Sequence, residues 1–176
     1  MNHDTYSDSY IADILTSVKS VALVGASSNS VRPSFFVLRY LIDKGYDVFP
    51  VNPGIAGSQI LGRPVYGSLA DIPDQIDMVD IFRNAEAALE ITREAIAIGA
   101  KIVWMQLRVR NDEAAELAES SGLRVVMNRC PKIEYGRLSG ELGWAGANSR
   151  KISSKRPKLA PKGFQHWVLE RRKPAV

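Results

Sequence analysis

The residues best placed to do chemistry are Gly25, Ala26, Ser27 and Ser28, which follow the apolar run Val21-Ala-Leu-Val24 and precede a helical pattern opening near Ser34. A chain that reverses there exposes unpaired backbone N–H groups and the positive end of a helix dipole, which together favour an anion. Gly25 would let the backbone approach a phosphate closely. Two arginines stand where a phosphate ligand could use them: Arg32, just before the helix, and Arg83, at the end of a later apolar run. A planar guanidinium binds phosphate oxygens in pairs. A dinucleotide fingerprint would place G-x-G-x-x-G in this turn and an acidic residue about 20 positions on for the ribose hydroxyls. This chain has one glycine in the turn and Asn52 at the end of the second apolar run. A lone glycine after a strand is also what an ordinary tight turn requires, so the rest of the chain must decide.

Nothing in the sequence builds a catalytic constellation. The two histidines, His3 and His166, lie in the terminal segments, and no histidine or lysine neighbours the serines after Gly25 to activate them. Asp77 and Asp80 fall on one run of alternating faces. With a single cysteine, Cys130, and two histidines, no disulfide or thiolate zinc cluster can form within the chain and no metal site is expected.

The elements that must position these residues can be read from hydrophobic periodicity. Ile11, Ile14, Leu15 and Val18 have helical spacing. Three units then repeat one plan, an apolar strand followed by a helix closed by glycine: Val21 to Val24 with a helix ending at Gly45, Met78 to Phe82 with one ending at Gly99, and Ile102 to Leu107 with one ending at Gly122. Strands at Tyr46 to Phe49 and Arg124 to Met127 bring the number to five. Pro50 is expected to end its strand, and Gly54 to Asp74, rich in Gly and Pro, reads as a long loop with short structure. The Phe35 to Ile42 helix is apolar nearly all round and is expected to be buried, whereas Glu86, Glu90, Arg93 and Glu94 mark a surface helix. The expected fold is α/β: a Rossmann-like, doubly wound, parallel five-stranded sheet with helices on both faces. Ligands in such sheets sit beyond the strand C-termini at the switch in strand order. That makes Gly25 to Asn29, Asn52, Phe82, Arg83, Met105, Gln106 and Asn128 the candidate lining.

The motifs Gly25-Ala-Ser27-Ser, Arg32-Pro33-Ser34, Pro50-Val-Asn52-Pro53, Ser68-Leu69-Ala-Asp-Ile72-Pro73, Asp80-Ile-Phe82-Arg83, Val103-Trp104-Met105-Gln106 and Asn128-Arg129-Cys130 fall in order over roughly residues 10 to 140. Together they resemble the stand-alone CoA-binding domain proteins of bacteria, which are similar to the N-terminal domain of the succinyl-CoA synthetase α subunit. The resemblance implies coenzyme A or an acyl-CoA as ligand. On it, Gly25, Ala26, Ser27 and Ser28 would cradle the pyrophosphate with Arg32 nearby, and Asn52 and Pro53 would line the adenosine end. Phe82 and Arg83 would pack on and pair with the ligand, and Met105 and Gln106 would border the pantetheine. By residue type alone, Phe82 and Met105 read as core. The family commonly has glycine where this chain has Arg108 and often aspartate where it has Asn128. The ligase and catalytic-histidine domains of the synthetase have no counterpart here, so a binding protein without autonomous ligase activity is expected. An NAD(P)-binding sensor or oxidoreductase-like domain is the alternative, with Asn52 speaking against NAD and leaving NADP open.

The expected organisation is a flexible segment 1–9, a CoA-binding domain 10–142 and a basic tail 143–176. From Ser149 onward nine basic residues face Glu170 alone, a net +8 in a chain totalling +4, which leaves residues 1–148 at −4. The basicity therefore belongs to the tail, which could bind nucleic acid or an acidic partner, or simply be solvated. The polar stretch Met1 to Ser9 and the lack of any long apolar run point to a cytoplasmic protein with no membrane association. Cys130, beyond the last strand, could form a mixed disulfide with CoA or be a buried, inert thiol.

Overall fold

The computed structural model describes residues 1–141. The expected tail, 143–176, lies outside the described residues. Contacts divide the chain into two compact units, Val18–Cys130 and, separately, Met1–Ser17 with the described residues from Pro131.

The Val18–Cys130 unit is an α/β fold built on a parallel sheet of five strands, as expected. In chain order come β1 (Ser20–Val24), α2 (Pro33–Asp43) and β2 (Asp47–Val51), the short antiparallel pair β3 (Gln59–Ile60) and β4 (Arg63–Pro64), and then β5 (Met78–Ile81), α3 (Ala85–Ala97), β6 (Ile102–Met105), α4 (Asp112–Ser120) and β7 (Arg124–Val126). The large sheet runs β2-β1-β5-β6-β7. The chain thus winds outward from β1 to β2, returns to β5 on the other side of β1, and continues outward. The switch point falls between β1 and β5, where a doubly wound sheet opens a crevice at its C-terminal edge.

Each face of the sheet has its own apolar layer. On one, Ala22, Val79, Ile81, Val103, Met105 and Val125 pack with Ala88 and Ala95 of α3 and Ala114 and Ala118 of α4. Small residues at those helix positions bring the helices close to the strands. α2 packs against β2 through Val37, Leu38 and Leu41, which are buried outside that cluster.

Two details depart from the sequence expectation. β2 continues through Pro50, paired with Leu23, to Val51. Proline is tolerated because β2 is the sheet edge, where the missing N–H costs no central ladder bond, and the Pro50 carbonyl still accepts from Tyr66 N–H at 2.9 Å. α2 is not buried all round: Ser34, Val37, Leu38 and Leu41 form one buried stripe, and Phe36 stays 50% exposed.

In the other unit, α1 (Asp8–Ser17) packs on α5 (Pro131–Ser139). Arg137 joins them, its guanidinium 2.6 Å from both Asp8 Oδ1 and Glu134 Oε2. Near the N-terminus His3 is buried with Nδ1 2.9 Å from the Tyr6 hydroxyl, and the Tyr6 and Tyr10 rings stack.

Candidate functional site

The turn after β1 sits at the switch point. Gly25 has φ +91°, and a Cβ there would lie 2.6 Å from the Phe82 carbonyl oxygen and 3.2 Å from Arg83 Cδ. Only glycine fits this left-handed, closely approached position. The same contact places the stem of Arg83, leaving β5, against the turn. The N–H groups of Gly25 and Ala26 both donate to Val51 C=O, at 2.9 and 3.2 Å, which draws the turn onto the end of β2. Asn52 completes the anchor: its Nδ2 donates to Ala26 C=O at 2.7 Å and its Oδ1 accepts from Gly54 N–H at 2.9 Å. Asn52 therefore braces the turn, spending both ends of its amide on backbone.

Beyond this brace the turn leaves backbone donors unbonded. Ser27 Oγ accepts from Asn29 N–H, and Asn29 Oδ1 from Val31 N–H. Among the described residues no acceptor meets the N–H groups of Ser27, Ser28 and Ser30. The N-terminus of α2 receives no side-chain cap from Arg32 and has Pro33 in its first turn. By contrast Asn84 caps α3 and Asn111 caps α4, each through its side-chain oxygen. Arg32 and Arg83 are exposed and pair with no carboxylate among the described residues.

A cavity of about 250 Å³ opens beside the turn, lined by Gly25, Asn52, Pro53, Ser68, Arg83 and Glu94 among others. Four sequence-predicted residues thus meet at one cavity. A larger cavity, about 580 Å³, lies at the opposite end of the strands, with Lys19 and Arg63 set among Asp47, Asp74 and Asp77. Asp77 there is committed to the fold. Burial acts to raise its pKa, but hydrogen bonds from the Lys101 ammonium and from Lys19 and Ser20 N–H outweigh it and hold the carboxyl below its usual value.

At the exit of β6 two neighbouring residues have different surroundings. Met105 is fully buried in the α3/α4 layer. Gln106 is 5% exposed, and its Nε2 donates to both carboxyl oxygens of Asp80, at 3.1 and 3.2 Å. Asp80 lies in mid-β5, in register with Leu23 and Trp104 and as fully buried as they are. Burial pushes its carboxyl up to about 8, against the opposing pull of the Gln106 hydrogen bonds. The one signal in the sequence is an acidic residue inside the apolar run Met78-Val-Asp-Ile81. Just beyond, Arg108 and Asn128 both adopt positive φ, +68° and +52°, and Arg108 N–H donates to Asn128 Oδ1 at 2.8 Å. Glycine would take the left-handed backbone at 108 without strain. Cys130 is buried. Among the described residues, no three of His, Cys, Asp and Glu cluster closely enough to hold a metal, and no helix is long and apolar enough to cross a membrane.

Comparison with known proteins identifies the family. A family model described as a CoA binding domain matches residues 19–136. The chain is 34% identical over 125 residues to the uncharacterised protein YneT of Bacillus subtilis (strain 168), covering 71% of this chain and 91% of that one. It is also 34% identical over 95 residues to the α subunit of acetate–CoA ligase (ADP-forming) I of Pyrococcus furiosus, covering 52% of this chain but 21% of the subunit. The matched region therefore spans about a fifth of that ligase subunit. Among solved structures, a hypothetical protein from Pyrococcus horikoshii OT3 superposes with a TM-score of 0.74 at 43% identity, covering 78% of this chain and 96% of that one.

Proposed function

The chain belongs to the CoA binding domain family, and from that membership we propose that it binds coenzyme A or an acyl-CoA at the C-terminal edge of its sheet and carries out no ligase chemistry of its own. The observation that carries the reading is the Gly25 turn pressed against Arg83 at the switch point. It brings unbonded backbone N–H groups and a guanidinium with no carboxylate partner among the described residues to one place, which suits a pyrophosphate. The adenosine end then occupies the cavity between Asn52, Pro53 and α3, and Arg32 faces the remaining phosphate charge.

The braced state of Asn52 favours CoA over NAD. A dinucleotide site offers a carboxylate to the ribose hydroxyls after the second strand, and here an amide sits there with both ends bonded to backbone. Absence of autonomous catalysis is supported by the serines of the turn. Ser27 Oγ accepts from a backbone N–H, and among the described residues no basic side chain bonds either Ser27 or Ser28, so neither hydroxyl has a base to activate it.

Isothermal titration of the purified chain with CoA, acetyl-CoA, NAD and NADP in one buffer tests the reading. Saturable binding of CoA, weakened by Arg83→Ala, is expected. Silence toward CoA together with binding of NADP would replace this proposal with the NAD(P)-binding alternative.

A further inference from the structure

Asp80 is a costly residue with one polar commitment. A carboxyl buried in mid-sheet is expensive, and this one has no cation beside it: its hydrogen bonds both come from Gln106 Nε2. Perturbed, buried carboxyls of this kind concentrate at functional sites. Gln106 is well placed to use such a partner. Its backbone N–H donates to Ile81 C=O at 3.3 Å, so it stands at the sheet edge next to the exit of β5 that leads to Phe82 and Arg83. With Nε2 committed to Asp80, Oε1 is directed away from the carboxyl. No donor among the described residues meets that oxygen, and it is not sealed from solvent. An amide held by one end presents a single polarity at the other.

We propose that Asp80 is a positioning residue of the ligand site: its ionised carboxyl holds the Gln106 amide nitrogen inward, so that Gln106 Oε1 accepts a hydrogen bond from an N–H or S–H group on the pantetheine arm. This rests on the CoA reading above. With the phosphates at Gly25 and Arg83 and the adenosine in the cavity on the α3 side, the next strand end along the sheet edge, beyond β5, is that of β6. Gln106 is the first residue there, and its outward oxygen is the acceptor the arm meets.

The test compares CoA with adenosine 3′-phosphate 5′-diphosphate, which keeps the nucleotide and lacks the arm. Both are titrated into the full chain at about pH 9, above the value to which burial pushes Asp80, so that the carboxyl can only accept. Gln106→Met keeps the volume and removes the acceptor, and Asp80→Asn frees the amide to turn. Both variants are expected to bind CoA about five- to tenfold more weakly, the size of one net hydrogen bond, and to bind the armless nucleotide as the unsubstituted chain does. A structural defect alone would weaken both ligands together, and that result, or no change in either, overturns the inference. Equal affinity of the unsubstituted chain for the two ligands overturns it while leaving the CoA reading intact. Failure to bind either ligand overturns both.

Discussion

Asp80→Asn should stabilise the protein, and by an amount that depends on pH in a defined direction. The carboxyl is fully buried, and its pKa is raised from 3.8 to about 8. Between these values the folded chain holds a proton that the unfolded chain releases, so the stability Asp80 allows is fully present below pH 3.8 and is lost as pH rises through 8. At about 1.4 kcal/mol per pH unit the loss reaches on the order of 5 kcal/mol. Asparagine does not titrate. The gain of the variant over the unsubstituted protein should therefore be small near pH 4, grow by roughly 1.4 kcal/mol per unit to about pH 8, and level off above it. Any fixed cost of fitting the substituted amide beside Gln106 offsets the whole curve without changing its slope. Urea unfolding at about pH 5, 7 and 9, followed by circular dichroism and fluorescence, measures the difference directly. A gap that stays constant across this range would show that Asp80 is not held neutral by burial, and the reasoning would fail.

Other outcomes follow from the same contacts. Arg83→Ala should weaken CoA binding roughly ten- to a hundredfold by titration, the size of a charge-assisted hydrogen bond, with little change in the unfolding midpoint because the side chain is exposed. Arg108→Gly should raise the midpoint by about 2–4 °C, since it relieves a positive φ worth roughly 1 kcal/mol at a non-glycine residue. Asp77→Ala should cost about 2–3 kcal/mol at pH 7, because it strips the acceptor from Lys19, Ser20 and Lys101. Its lowered pKa makes that contribution present above 3.8 and lost as pH falls further, so the two proteins should converge in acid.

The order of strands and helices was legible because each unit pairs an apolar strand with a glycine-closed helix, and the tight turn after β1 was legible from Gly25. Asn52 and Arg83, which line the smaller cavity, followed from placing strand ends on one edge, and Pro53 from the family resemblance. What escaped depends on three-dimensional position. Pro50 reads as a strand breaker until β2 is known to be an edge. The α2 helix looks buried from Phe35 to Ile42, yet the sheet offers it a partner on one stripe only. Helix α5 was not anticipated, with Gly136 inside it and Glu134 among its buried positions. Met105 and Gln106 are neighbours in sequence with opposite fates, one in the α3/α4 layer and the other bonded to Asp80, because strand residues alternate faces. The Asp80–Gln106 bond spans two strands, and no spacing along the chain encodes it.

The most direct test of the central claim is an amide-resolved NMR titration of the chain with CoA. The account places the phosphates on the turn after β1, so the largest shifts should fall on the amides of Ala26, Ser27, Ser28 and Arg83, with Asn52 following. Shifts confined to Lys19, Asp47 and Asp77, at the larger cavity on the opposite end of the strands, would contradict it.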